Sequence, residues 1–169
     1  MNISETYNYL VRTRRDLWRT LESVPDEVLS RALLSGSRFH CIKDILFHIP
    51  DVEDGWINGD IRNHQMVQNA IPVLTNSEGG PVYASFPLQM LLDYWRLVEQ
   101  NTLAYLAALN DEELRRVVLV EDWPEKRFTV DGLLWHVMIH EMRHTAQIAV
   151  LLRTQDIKPP SLDLLFYLP

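Results

Sequence analysis

Residues 130–153 have the sequence VDGLLWHVMIHEMRHTAQIAVLLR, and this stretch decides the fold class. Its apolar residues recur with the 3.6-residue period of an amphipathic helix, and three histidines fall within it at intervals of four. Three further segments carry the same period, so the sequence predicts long helices over residues 2–23, 37–57, 86–110 and 130–153. Each has one apolar face, and together they predict an all-α, antiparallel four-helix bundle.

The connections between these helices are unequal in length. A long one, residues 58–84, is predicted to hold a short helix around 60–70 and a loop over 76–81. Before the last helix, two β-prone runs at 117–120 and 127–130 flank a polar turn and predict a small hairpin.

The whole chain, residues 1–169, is predicted to form a single domain, because its length suits one domain and no internal repeat is visible. The tail at 162–168 carries aromatic and leucine side chains. We expect this tail to dock against the body of the bundle.

Composition excludes several classes of protein. Lys and Arg number 16 against 23 Asp and Glu, so the net charge is −7 and a nucleic-acid partner is not expected. The basic run at 12–15 is predicted to be a solvated helix face. No basic segment followed by an apolar stretch opens the sequence, and no run reaches about 18 apolar residues. We therefore expect a cytoplasmic protein with no membrane partner.

The single cysteine, Cys41, excludes an intrachain disulfide and a zinc site built from several cysteines. Apolar residues surround it in the sequence. We predict that Cys41 is a small buried side chain rather than a nucleophile.

Two of the six histidines form the clearest candidate site. His140 and His144 are four residues apart, which places both side chains on one helical face about 6 Å apart. That face is the core-facing stripe of Leu133 and Leu151. An unsatisfied polar group in such a core costs about 1–3 kcal/mol. The imidazoles are therefore satisfied either by mutual hydrogen bonds and buried water or by a metal ion.

A third metal ligand has to come from another helix. His136 lies eight residues before His144, a rise of about 12 Å, which is too far for one ion. His48, at the edge of the second helix's apolar face, is the best candidate. His40 and His64 are expected on the surface. His136 is expected to be either a core contact or a support for the site.

The same helix offers a competing interpretation. Residues 140–144 read H-E-M-R-H, which matches the H-E-x-x-H signature of zinc metalloproteases, with Glu141 as the general base. The small chain and its bundle pattern favour a different function. No substrate-binding edge strand is visible before this helix.

The histidine helices resemble those of the DinB-like (DinB/YfiT) superfamily of metalloenzymes. Residues 136–148, HVMIHEMRHTAQI, resemble its last-helix motif H-x-x-x-H-R-G-Q-[IV], and residues 42–56, IKDILFHIPDVEDGW, look like its single-histidine helix. Residues 159–167, PPSLDLLFY, are similar to its C-terminal tail. The departure is Thr145-Ala146 where the family usually has Arg-Gly, which leaves the histidines in place.

This resemblance implies a four-helix bundle, often a homodimer, that binds one divalent metal ion through His48, His140 and His144. Nickel, zinc and iron all suit three imidazoles, and the sequence does not choose among them. Characterised relatives are thiol-dependent transferases and isomerases, so a low-molecular-weight thiol is an implied cofactor. The residues that carry catalysis are not identified.

Two functions of different classes follow from these observations. The first is a small-molecule enzyme, either a thiol-dependent S-transferase or isomerase or a hydrolase. The alternative is a non-catalytic metal-binding protein of a stress response. An enzyme requires a pocket, expected along residues 58–84, and an open coordination position, whereas a structural site requires a closed shell of four ligands.

Overall fold

The computed structural model of the protein describes residues 2–74 and 83–168, apart from the side chain of Pro72. Within these residues it confirms the all-α class, with four long helices and two short ones between them. The long helices are α1 (Ile3–Glu22), α3 (Ile42–Asp54), α4 (Leu88–Ala107) and α6 (Val130–Arg153), and the short ones are α2 (Asp26–Leu29) and α5 (Asp111–Arg115). The loop predicted over 76–81 lies outside the described residues.

Helix α3 differs most from its predicted range. It begins at Ile42 rather than at residue 37, because the carboxylate of Asp44 accepts hydrogen bonds from the backbone N–H groups of His40 and Cys41 at 2.8 and 3.2 Å. Beyond Asp54 the chain continues in a π-helical segment, Gly55–Ile61. The short helix predicted in the following connection is only a 3-10 turn, Val67–Ala70.

The predicted hairpin and the docked tail are both present. Strand β1 (Val117–Val118) pairs antiparallel with β2 (Phe128–Thr129) immediately before α6. The tail forms a 3-10 turn, Leu164–Tyr167, in which the ring of Tyr167 meets that of Tyr9 edge-on, with 5.6 Å between centroids. Two further 3-10 turns flank the undescribed part of the connection, Pro72–Leu74 and Tyr83–Ser85.

Apolar side chains form two clusters at the two ends of the bundle. The first half of α1 shares one cluster with the first half of α6 and the end of α4, through residues that include Ile3, Leu10, Leu106 and Leu134. The second half of α1 shares the other cluster with the start of α3 and of α4 and the end of α6, through residues that include Leu17, Ile45, Leu92 and Leu152. Helices α1 and α6 therefore run in one direction, and α3 and α4 run in the other. Antiparallel contacts join α1 to α4 and α3 to α6, whereas the long connection carries the chain back so that α4 lies parallel to α3.

Between the two apolar clusters lies a level of buried polar side chains contributed by all four long helices. Its members include Arg14, Glu53, Glu99, Thr102, His140, Glu141 and His144. Among the described residues, no helix has the length and apolar character of a membrane span. The polar level contains the candidate site.

Candidate metal centre

Three histidines from α3 and α6 converge at the polar level. His48, His140 and His144 each offer a ring nitrogen, and these atoms lie within 4.8 Å of one another. The Nε2 atoms of His48 and His140 are 3.0 Å apart. His140 is 6% exposed and His144 is 5% exposed, while His48 is half-buried. The residues singled out in the sequence as ligands are thus neighbours in space, and we call them the histidine cluster.

The histidine cluster is uncharged at neutral pH. Burial, followed by the charge of His144, lowers the pKa of His48 to about 4 and that of His140 to about 3. Burial also lowers the pKa of His144. Neutral imidazoles keep a lone pair, so the cluster offers nitrogen ligands rather than three repelling cations.

Gln147 fixes the orientation of the His144 ring. Its Oε1 atom lies 2.6 Å from Nδ1 of His144, and because an amide oxygen only accepts, Nδ1 carries the proton. The lone pair is then on Nε2, where Nη2 of Arg143 donates a hydrogen bond at 3.1 Å. An ion bound at Nε2 of His144 would have to displace the hydrogen bond from Arg143.

Phe39 packs against the cluster from the segment that precedes α3. Its ring centroid lies 4.5 Å from that of His48 and 5.9 Å from that of His144. This buried ring excludes water from one side of the two imidazoles and restricts their rotation.

The other histidines lie outside the cluster. His136 is exposed and borders it, with its ring 6.1 Å from that of His140 and 5.5 Å from that of Trp56. His40 and His64 are exposed, as expected from the sequence. Of the two roles predicted for His136, a support at the edge of the site fits this position better than a core contact.

The donor set suits a divalent transition metal. Imidazole nitrogens bind such ions at about 2.0–2.1 Å, so two ligands of one ion lie about 3 Å apart, as the Nε2 atoms of His48 and His140 do. Zinc, nickel and iron all accept imidazole. Three protein ligands leave at least one position for water or substrate, the arrangement found in catalytic zinc sites.

A cavity of about 530 Å³ opens beside His144. Its described lining comes from α6, from Ile45 of α3 and from the segment before α3, and none of it comes from residues 58–84. The expectation that residues 58–84 would line the pocket is therefore wrong for the described residues. Residues 34–39 line the pocket instead, because Phe39 packs against His48 and the residues next to Phe39 therefore lie beside the cavity.

About 100° around α6 from His140, Glu141 forms a buried ion pair with Arg14. Nε and Nη2 of Arg14 donate to the two carboxylate oxygens at 2.9 and 2.6 Å, and Nη1 donates to Glu99 at 2.8 Å. Arg14 is 1% exposed, so the prediction that residues 12–15 form a solvated face is wrong at this position. Because both carboxylate oxygens of Glu141 accept hydrogen bonds from Arg14, Glu141 is not available as the general base that the H-E-x-x-H interpretation requires.

Glu53 completes this group, which we call the carboxylate–arginine network: Arg14, Glu53, Glu99 and Glu141. Thr102 donates to Oε1 of Glu53 at 2.6 Å, the hydroxyl of Tyr7 donates to the same oxygen, and Arg14 lies 3.5 Å from Oε2. Burial raises the pKa of Glu53.

Helical spacing in the sequence could have revealed the network. Arg14 lies four residues after Leu10 and three before Leu17, in the middle of the apolar stripe of α1. Glu53 likewise follows Ile49 by four residues. A charged residue inside an apolar stripe predicts a buried charge with a partner on another helix.

Two further side chains near the site differ in reactivity. Cys41 is buried, as predicted, and burial raises the pKa of its thiol to about 11, so it remains protonated. Asp51 lies one turn beyond His48 on α3, and burial together with the charge of Asp54 raises its pKa to about 6. No local pattern in the sequence indicates that Asp51 titrates this close to neutral pH.

Comparisons with known proteins agree with this architecture. The model of the DinB family matches residues 1–169. A DinB-like protein from Bacillus cereus ATCC 10987 has the same fold, with a TM-score of 0.68, 17% identity and coverage of 94% of each chain. A conserved protein from Enterococcus faecalis gives a TM-score of 0.70 at 15% identity, covering 90% of this chain and 96% of that one. No curated protein matches the sequence.

Proposed function

This chain belongs to the DinB family, and from that premise we propose that it is a metal-dependent enzyme acting on a small molecule. In this proposal His48, His140 and His144 hold one divalent ion through their ring nitrogens. The reaction is either a thiol-dependent S-transfer or isomerisation, or a hydrolysis.

The observation that carries the proposal is the meeting of three uncharged imidazoles beside an open cavity. The cavity of about 530 Å³ is within the usual size of a small-molecule site. Within residues 2–74 and 83–168, no fourth His, Cys, Asp or Glu joins the group of three. This arrangement supports an enzyme over a non-catalytic metal-binding protein, which would need a closed shell.

The bound ion would supply a Lewis acid that lowers the pKa of a coordinated water or thiol towards neutrality. The chain's own residues prepare the place. Gln147 presents the Nε2 lone pair of His144, and Phe39 keeps water from one side of the rings. Cys41 stays protonated and buried, so a reacting thiol would come from a separate low-molecular-weight cofactor.

The test is a substrate screen on protein purified without a histidine tag. Zinc-, nickel- and iron-loaded forms are assayed with small thiols plus electrophiles and with esters. We expect activity in at least one loaded form, its loss on chelation, and its loss in His144→Ala but not in His64→Ala, whose histidine is exposed. Activity that persists in the chelated protein and in His144→Ala would contradict the proposal.

We also propose that the protein acts as a two-fold homodimer, as the resemblance implies. Exposed apolar side chains that a partner could cover include Ile139, Leu165 and Phe166. Light scattering at micromolar concentration should give twice the chain mass of 19.8 kDa. A mass near 19.8 kDa would contradict the dimer.

A further inference from the structure

The charge of the cavity beside His144 is opposite to that of the whole chain. Arg38 and Arg143 are the charged side chains in its described lining, which contains no Asp or Glu. The chain as a whole carries a net charge of −7. Within the described residues, neither guanidinium lies within ion-pairing distance of a carboxylate. The charge of Arg38 does act on Asp51, where it offsets part of the rise in pKa that burial causes, but from beyond that distance. The cavity therefore presents two cations that are not ion-paired.

The rest of the cavity wall is mostly apolar. Leu34 and Ile45 line it from the α3 side, and Val150 and Leu151 line it from α6. Phe39 also lines the cavity. The guanidinium of Arg38 lies over its ring at 4.9 Å, and the same ring contacts His48 and His144. A ligand that fills this cavity meets cations and an apolar surface together.

We propose that the cavity binds an organic carboxylate with an apolar tail, its carboxylate on Arg38 and Arg143 and its tail against the apolar wall. This inference rests on the proposed function, because it names the substrate class of the same site. The cavity reaches His144, so a molecule bound in this way has its reacting end beside the histidine cluster.

The chemistry of arginine favours a carboxylate over other ligands. A guanidinium has five N–H donors in a planar fork that pairs with two carboxylate oxygens. One N–H of Arg143 donates to Nε2 of His144, and its other N–H groups can donate to a ligand. Two like charges repel an ammonium ligand, and a small inorganic anion leaves the apolar wall uncovered.

The experiment is calorimetric titration of the full chain, in metal-free and zinc-loaded forms, with four matched probes. Octanoate has both head and tail, octanol lacks the charge, octylammonium reverses it, and acetate lacks the tail. Octanoate should bind at least about tenfold more tightly than each of the other three. Octanol or acetate binding as tightly as octanoate would overturn the inference.

Variants locate the binding within the cavity. Arg38→Gln and Arg143→Gln should each weaken octanoate binding about tenfold or more, which is about 1.4 kcal/mol. Arg127→Gln, an exposed arginine outside the cavity lining, removes the same charge and should leave the Kd unchanged. Equal weakening in all three would show a mere net-charge effect and would overturn the inference.

A cavity-filling variant tests the apolar wall. Val150 is 56% exposed, so Val150→Trp should fit without disturbing the core. It should abolish octanoate binding and leave the melting temperature and zinc binding unchanged. Full octanoate affinity in Val150→Trp would overturn the inference.

Zinc titration of the same samples separates this inference from the proposed function. Octanoate binding without zinc binding would support the carboxylate site and refute the metal enzyme. Zinc binding without octanoate binding would support the metal site and refute the carboxylate site.

Discussion

The histidine cluster and the carboxylate–arginine network occupy the same level of the bundle, and they satisfy their polar atoms in different ways. They even use adjacent residues, since His140 belongs to one and Glu141 to the other. In the network, Arg14 meets carboxylates from three other helices. In the cluster, the Nε2 atoms of His48 and His140 share a hydrogen bond at 3.0 Å whose donor is set by the ring tautomers, and no carboxylate or carbonyl of the described residues joins it.

This difference in hydrogen-bond partners suggests that the two regions have different roles in the protein. A buried charge that has its partner inside the chain stabilises the fold relative to a chain from which one partner is removed. Buried imidazoles that hydrogen-bond only to each other can exchange that bond for a ligand from outside the chain. The network is therefore expected to control stability, and the cluster is expected to control ligand binding.

The largest expected effect comes from removing the centre of the network. Arg14→Met leaves the buried carboxylates of Glu53 and Glu141 without their cation, while Glu99 keeps its ion pair with Arg15. It should lower the free energy of unfolding by about 3–5 kcal/mol. Urea unfolding measures this loss. Arg12→Met, at an exposed position of the same helix, should change stability by less than about 0.5 kcal/mol. A loss below about 1 kcal/mol for Arg14→Met would refute the structural role of the network.

A smaller effect, on binding alone, is expected at Gln147. Gln147→Ala frees the His144 ring to rotate or change tautomer, and should weaken zinc binding about 10- to 100-fold. Gln147→Glu keeps an acceptor on Nδ1 and should restore the affinity. Gln100→Ala, exposed on α4, is the control for calorimetric titration. Unchanged zinc affinity in Gln147→Ala would show that this hydrogen bond does not orient a ligand.

The pH dependence of stability should distinguish the two regions in metal-free protein. His48 and His140 have folded pKa values of about 4 and about 3, below the ordinary 6.5. Their contribution to stability is therefore complete above pH 6.5 and falls as the pH drops towards 4 and 3, by up to about 1.4 kcal/mol per pH unit for each. The raised pKa of Glu53 acts in the opposite sense, because its contribution is lost as the pH rises above 4.5.

Urea unfolding at several pH values measures this slope. His140→Ala should flatten the decline between pH 6.5 and 4, whereas His64→Ala should follow the wild-type curve. An undiminished slope in His140→Ala would mean that His140 is not a buried neutral imidazole.

The smallest expected effect concerns Arg143, which donates to the lone pair that an ion would use. Arg143→Ala removes this competitor and a nearby positive charge, so zinc binding should tighten by a few-fold, less than about 1.4 kcal/mol. Arg153→Ala, at the end of α6, is the matched control. Weaker zinc binding in Arg143→Ala would show that Arg143 supports the ion rather than competing with it.

The sequence predicted the histidine cluster well because its signal is local. His140 and His144 share a face through i, i+4 spacing on one helix, and that face carries Leu133 and Leu151. Only the partner helix had to be inferred, and His48 was the one histidine placed on an apolar face there. The antiparallel packing of α3 on α6 then brings the three together.

The network and the cavity were missed because they depend on contacts between distant segments. In the sequence, Arg14 is one of several arginines in α1. Its role becomes visible only in the structure, where Glu53, Glu99 and Glu141 contact it from three other helices. The cavity depends on the irregular segment at 34–39, whose path has no periodic signal. Loop paths are set by the surfaces they cross, which a single sequence does not show.

The central claim is that the histidine cluster binds metal while the network does not. Metal analysis of protein purified without a histidine tag, before and after incubation with zinc, tests it most directly. The wild-type chain and His64→Ala should each hold one ion, and the double variant His140→Ala, His144→Ala should hold none while keeping its helical circular dichroism. Full metal content in the double variant would contradict the claim.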